Sequence, residues 1–300
     1  ESELPLGDDM FTGSIVALVT PMHADGSIDW CSLENLIDWH LQAGTDALVI
    51  AGTTGESAVL SESEYQQLLE VSLARVAGRC PLIAGCGGPA TASVINTTKL
   101  AMKLGVSGAL VVTPYYNRPP QAGLVAHYQA VSDACDIPLI LYNVPARTGV
   151  DLSPDSVAEL YQRDNIVAFK EANPIAGRMS ELVARFSDQL VLLSGDDPTA
   201  CESLAAGAKG VISVINNLIP ASFSQMVKLA LSDDLDGARA LDQRFQLLYA
   251  AAALSSNPMP IKWALYKLGK IDSGIRLPLL PLETSLRAEL DAALLTLETL

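Results

Sequence analysis

Residues 165–172 read Asn-Ile-Val-Ala-Phe-Lys-Glu-Ala, an apolar run that ends on a charge at Lys170. Its length and content fit a strand buried on both faces. A lysine at the end of such a strand loses hydration and has no partner fixed by the sequence. Burial disfavours the charged form of an amine, and a neutral amine is a nucleophile that condenses with ketones. A lysine that snorkels from a strand end into water gives the same pattern. The rest of the chain separates the two readings.

Seven more apolar runs accompany this one: 15–20 (IVALVT), 46–51 (DALVIA), 81–85 (PLIAG), 108–113 (GALVVT), 137–142 (IPLILY), 190–194 (LVLLS) and 210–215 (GVISVI). A longer stretch with helical periodicity follows each. Ser61 and Glu64 have the spacing of a capping box, and Ser153-Pro154 and Asp197-Pro198 each offer an N-cap followed by proline. Strands apolar throughout and alternating with helices imply a parallel sheet covered on its outer face. Eight such units over about 200 residues point to a (β/α)8 TIM barrel, with an open doubly wound sheet as the alternative. After residue 216 no strand-like run recurs, and 220–232, 234–255, 258–269 and 281–298 read as helices. The expected organisation is a vector-derived leader over 1–10, with Met10 as the native start, a catalytic barrel over 11–232, and a C-terminal helical appendage over 233–300.

Composition narrows the function. The formal charge of −15 over 300 residues disfavours nucleic-acid or anionic-membrane surfaces, which need clustered Lys and Arg. No apolar stretch approaches the roughly 20 residues of a membrane span, and the amino-terminal residues show no signal peptide. Five cysteines without a C-x-x-C pair suggest free thiols in a reducing cytoplasm. Three scattered histidines never lie at i, i+4, so a histidine-built zinc site is not expected.

In a barrel, chemistry gathers at the carboxyl ends of the strands. Those ends carry Thr53-Thr54, Tyr115-Tyr116, Tyr142 with Arg147 just beyond, Lys170, Gly195-Asp196-Asp197 and Ile212-Ser213. Of the eight lysines, Lys209 falls at the opposite end, and Lys99, Lys103, Lys228, Lys262, Lys267 and Lys270 fall on helices or helix ends, where solvated lysines are the norm. Only Lys170 is placed for covalent catalysis. The run 85–90 (GCGGPA) loosely matches a dinucleotide fingerprint, but no acidic residue lies between Glu70 and Asp133 to hold a ribose. The segment 52–57 (GTTGES) is either a turn whose glycines permit unusual backbone angles or a cradle that offers hydroxyls and N–H groups to a small carboxylate. Tyr142 can be a core aromatic, and Arg147 a surface ion-pair residue. Asp196-Asp197 reads as a helix N-cap rather than a metal clamp.

These segments together resemble the dihydrodipicolinate synthase family of pyruvate-dependent Schiff-base aldolases. The matching stretches are GTTGES (52–57), TPYYNRP (113–119), LYNVPARTG (141–149), FKEA (169–172), SGDD (194–197), GVISV (210–214), NPMPIKWAL (257–265) and RLPLLPL (276–282). The resemblance runs from Phe11 to the end. It implies condensation of pyruvate with L-aspartate 4-semialdehyde to 4-hydroxy-tetrahydrodipicolinate, in lysine and diaminopimelate synthesis. By the same resemblance Lys170 is the Schiff-base lysine and Tyr142 relays protons, with Thr53 and Tyr116 completing the relay. Thr54 holds the pyruvate carboxylate, Arg147 orients the semialdehyde carboxylate, and Gly195 and Ile212 line the pocket. Tyr116 enters a neighbouring site, so a homodimer or homotetramer is implied. No cofactor or metal is expected, because the iminium is itself the electron sink. A phenol alone is a poor base, but a chain of hydroxyls can pass the proton onward.

One departure bears on regulation. Lysine-inhibited members bind lysine between subunits with histidine, asparagine and glutamate. Here those positions read Glu62, Tyr65, Pro89 and Ser93, although Ser57, Ala58 and Tyr115 fit. Weak or absent lysine inhibition is expected. The rival readings are N-acetylneuraminate lyase or a keto-deoxy-sugar-acid aldolase on the same scaffold, a non-catalytic oxo-acid-binding relative, and a metal-dependent aldolase. Arg147 favours the synthase over the sugar-acid lyases.

Overall fold

The computed structural model describes residues 10–299, so the expected leader lies outside the described residues except for Met10. Eight strands close into one barrel: β1 Gly13–Ala17, β2 Ala47–Ile50, β3 Leu82–Gly85, β4 Gly108–Val112, β5 Leu139–Asn143, β6 Ile166–Glu171, β7 Val191–Ser194 and β8 Gly210–Ser213. Every neighbouring pair is parallel, and β8 returns beside β1 with Gly210 opposite Gly13. The sheet has no edge, so the doubly wound alternative falls. Around it lie α1 Trp30–Ala43, α2 Glu62–Val76, α3 Thr91–Leu104, α4 Gln121–Ala134, α5 Pro145–Thr148, α6 Pro154–Leu160, α7 Arg178–Phe186, α8 Ala200–Ala205 and α9 Pro220–Leu231. Three further helices follow: α10 Leu235–Ala252, α11 Met259–Lys267 and α12 Thr284–Leu294.

The strands are apolar throughout because both faces are buried. Alternate residues fill the barrel interior, among them Ile15, Ala47, Val49, Ile83, Leu110, Ile140, Ala168, Leu193 and Ile212. The residues between them, such as Val16, Leu48, Val111, Leu141, Phe169 and Leu192, pack outward against the helices. Each fully buried aliphatic side chain adds roughly 1.5–3 kcal/mol of apolar transfer. Phe11 closes the amino-terminal mouth, where a Cβ on Gly108 would come within 2.7 Å of its ring. The outer layer continues into the last helices, where Phe245 of α10 stacks on Phe223 of α9 with ring centroids 6.2 Å apart.

The helix-start signals are met at Ser61, which forms a complete capping box with Glu64, and at Ser153, which caps α6 ahead of Pro154. Asp197 behaves differently. Its carboxylate accepts the N–H groups of Val214 and Ile215, at 3.0 and 2.8 Å, and so caps the turn after β8 rather than its own helix. The sequence shows an aspartate before a proline, but not the strand end that packing brings beside it.

Candidate active site

The pleat decides which strand-end residues face inward. On β6, Ala168 points into the barrel and Phe169 out, so Lys170 points in and Glu171 out. On β5, Tyr142 points in and Asn143 out, and the register sets Tyr142 directly beside Lys170. The ammonium of Lys170 lies 3.9 Å from the centroid of the Tyr142 ring. Lys170 is only 5% exposed, and no carboxylate pairs with it among the described residues. Gly195 closes against the same side chain: a Cβ there would lie 2.7 Å from Lys170 Cε. Ile212 is buried in the barrel core with Tyr142.

Above this pair opens a cavity of about 380 Å³, within the range of small-molecule sites. Its walls include Thr53, Tyr115, Tyr142, Arg147 and Asn257. Lys170 is not on the wall; its head rests against Tyr142, which is. Thr54 is buried and takes a 2.9 Å hydrogen bond from the Asn257 amide. Arg147 stands on α5, a single turn ended by Gly149 in the left-handed region, and donates to the Asn257 carbonyl at 3.3 Å. The structure thus gathers Lys170, Tyr142, Thr53, Thr54, Arg147, Gly195 and Ile212 at one end of the barrel. Tyr116 stands apart. It is 93% exposed, with a left-handed backbone at φ 75°. Thr53 and Tyr142 share the cavity without a direct hydrogen bond.

The segment 52–57 is held in an unforeseen way. The left-handed residues are Ala51 (φ 54°) and Glu56 (φ 57°), not the two glycines. Glu56 is buried and accepts from Lys262 Nζ at 2.5 Å and from the Arg276 N–H at 3.1 Å. Lys262 is therefore not solvated as its helical position suggested; it is 4% exposed. Burial pulls its ammonium pKa down, against the opposing attraction of Glu56. Arg276 also binds Glu64, Val59 and Gly26, tying the C-terminal segment to the loops after β1 and β2. In 85–90, Gly85 serves close packing rather than phosphate binding, since a Cβ there would fall 2.1 Å from the Ala51 carbonyl.

Behind β5 and β6, the outward neighbours of the inward pair form a polar lock. Asn143 donates to Glu171 and Asp151, and Arg178 donates to Glu171, Asp151 and the Leu152 carbonyl. Burial pushes the Glu171 carboxyl upward, against the pull of Arg178 and Asn143. The lock fixes the two strand ends and hence the spacing of Tyr142 and Lys170. Nothing in the sequence singles out Glu171 for this role, since its partners Asn143 and Arg178 come from two other segments.

A second cavity, of about 510 Å³, gathers Ser57, Ala58, Glu62, Tyr65, Ser93 and Tyr115. The Tyr65 hydroxyl is occupied by Cys86 Sγ at 3.3 Å, and the Pro89 carbonyl accepts from Asn117. Among the described residues no group of three or more His, Cys, Asp or Glu is arranged to hold a metal ion, and no helix is long and apolar enough to cross a membrane.

Comparison with known proteins adds independent findings. The sequence pattern of the "Dihydrodipicolinate synthetase family" matches residues 10–297. The chain is similar to the "4-hydroxy-tetrahydrodipicolinate synthase" of Alcanivorax borkumensis, at 47% identity over 94% of this chain and 96% of that one. It is similar to the enzyme of the same name from Thioalkalivibrio sulfidiphilus, at 48% identity over 95% of this chain and 97% of that one. Among solved structures, the chloride-inhibited dihydrodipicolinate synthase of Acinetobacter baumannii, complexed with pyruvate, superposes with a TM-score of 0.95. Its identity is 44%, covering 96% of this chain and 99% of that chain.

Proposed function

The chain belongs to the dihydrodipicolinate synthetase family, and from that premise we propose that it condenses pyruvate with L-aspartate 4-semialdehyde through an imine on Lys170. The reaction is that of a 4-hydroxy-tetrahydrodipicolinate synthase, a lyase of lysine and diaminopimelate synthesis. The observation that carries the chemical reading is the buried, carboxylate-free amine of Lys170 against Tyr142, beneath a cavity that also exposes Arg147.

The amine of Lys170 adds to the keto carbon of pyruvate and water leaves, giving a protonated imine. That cation withdraws electrons, so the pyruvate methyl loses a proton and becomes an enamine. The enamine carbon attacks the aldehyde carbon, whose oxygen takes up a proton. The amino group of the former semialdehyde then adds to the imine carbon and displaces Lys170, closing the ring and freeing the enzyme. Tyr142, whose ring lies against the Lys170 amine, hands protons to and from the imine, with Thr53 as the next station. Thr54 donates to the pyruvate carboxylate, Arg147 meets the semialdehyde carboxylate, and Gly195 and Ile212 shape the floor.

We further propose a homodimer or homotetramer in which Tyr116 completes a neighbour's relay. A tyrosine held outward in a left-handed backbone is strained, and strain of that kind marks functional positions. Five unpaired cysteines support a cytoplasmic location.

The test is a coupled assay with pyruvate and aspartate semialdehyde, run beside N-acetylneuraminate cleavage and repeated in excess chelator. Turnover of the first pair alone, unchanged by chelator, is expected. Turnover of the sugar acid, or loss of activity with chelator, contradicts the proposal.

A further inference from the structure

Asn257 lies beyond the barrel, 203 residues from Thr54 in sequence, yet it touches both groups proposed to hold substrate carboxylates. Its amide nitrogen donates to Thr54 Oγ1 at 2.9 Å, and its main-chain carbonyl accepts from Arg147 Nη2 at 3.3 Å. The amide oxygen is buried without a partner among the described residues. The side chain's single directional contact is therefore the N–H given to Thr54.

That contact has a polarity. A hydroxyl that accepts from an amide N–H keeps its own proton to donate elsewhere. Thr54 has no other hydrogen bond among the described residues, so its O–H is left for a carboxylate. The Arg147 bond works differently, since it uses the backbone carbonyl. It steadies the guanidinium and leaves its remaining N–H groups for the second substrate.

We infer that Asn257 is a positioning residue: its side chain fixes the Thr54 hydroxyl as a donor to the pyruvate carboxylate, while its carbonyl steadies Arg147. The inference rests on the proposed roles of Thr54 and Arg147. It also gives the C-terminal region a part in the reaction. The segment that carries Asn257 is held down by the Lys262–Glu56 pair and by Arg276, so the amide is delivered from a fixed support.

The two arms predict a split. Removing the side chain disturbs pyruvate binding and spares the semialdehyde, because the carbonyl remains. The experiment measures the pyruvate concentration that half-saturates borohydride inactivation, together with the KM for semialdehyde. Asn257→Ala is expected to raise the pyruvate value about three- to tenfold and to change the semialdehyde KM by less than about twofold. Asn257→Asp is nearly isosteric but can only accept, so it draws the Thr54 proton to itself; its pyruvate defect is expected to be at least as large. Thr54→Val with Asn257→Ala is expected to be no worse than Thr54→Val alone. A normal pyruvate dependence in Asn257→Asp, an equal rise in both substrates, or an additive double variant overturns the inference while the reading of Lys170 stands. Absence of any wild-type adduct overturns that reading and the inference together.

Discussion

Two lysines of this chain are buried to the same degree, Lys170 at 5% exposure and Lys262 at 4%, and they are used in opposite ways. Lys262 has a carboxylate, Glu56, at 2.5 Å, and the pair fastens α11 to the loop after β2. Lys170 has the face of an aromatic ring and, among the described residues, no carboxylate. Burial alone therefore does not mark a reactive lysine. The partner does: the Lys262 amine is engaged by a buried carboxylate that a ketone would have to displace, whereas the Lys170 amine meets only the Tyr142 ring among the described residues.

The largest expected effect separates activity from stability at these two sites. Lys170→Ala should abolish turnover in the coupled assay and leave the melting transition near that of the wild type. A stable variant with residual pyruvate-dependent turnover would break the comparison. Lys262→Met should do the reverse to stability, leaving Glu56 buried and unpaired at a cost of about 3–5 kcal/mol. Urea unfolding measures this, and Glu56→Gln combined with Lys262→Met should recover much of the loss. If the single variant is as stable as wild type, Lys262 is not the anchor described here.

A smaller effect comes from the neighbouring pair of Glu64 and Arg276. The Arg276 hydrogen bonds, with help from Ser61, hold the Glu64 carboxyl down at about 2, below its ordinary 4.5. A depressed native pKa adds stability that is present above the unfolded value and is lost as pH falls from 4.5 toward 2. With partial solvent screening this is worth about 1 kcal/mol, and Glu64→Gln should flatten the acid limb of the stability curve in that window. An unchanged limb contradicts the assignment. Smallest of all is the expected response to lysine. At the cleft around Glu62, Tyr65 and Ser93, Pro89 and Ser93 stand where the resemblance leads one to expect an amide and a carboxylate, and the Tyr65 hydroxyl is already bonded to Cys86, so inhibition should be weak or absent. Half-inhibition at low or sub-millimolar lysine would refute this.

The comparison also shows how far the sequence could be read. Lys170 and Tyr142 were legible because strand periodicity fixes which end and which face a residue occupies, and both depend on local spacing. The positions of Thr53, Thr54 and Arg147 just past strand ends follow from the same rule. Lys262 departs from the solvated setting its helical position suggests because its pairing with Glu56 spans 206 residues. Its setting among Ile261, Ala264 and Leu265, all buried, was the available signal. Asn257 opens the matching stretch 257–265, but no role is legible there, since its meaning comes from packing against Thr54. The left-handed backbone at Ala51 and Glu56 was equally hidden, as the adjacent glycines attract that expectation.

The most direct measurement is borohydride reduction of the protein in the presence of pyruvate, followed by peptide mass mapping. A single carboxyethyl-amine adduct on the peptide containing Lys170, with Lys262 unmodified, is the predicted result. An adduct on Lys262, or none on Lys170, would contradict the claim that the unpaired lysine is the one that reacts.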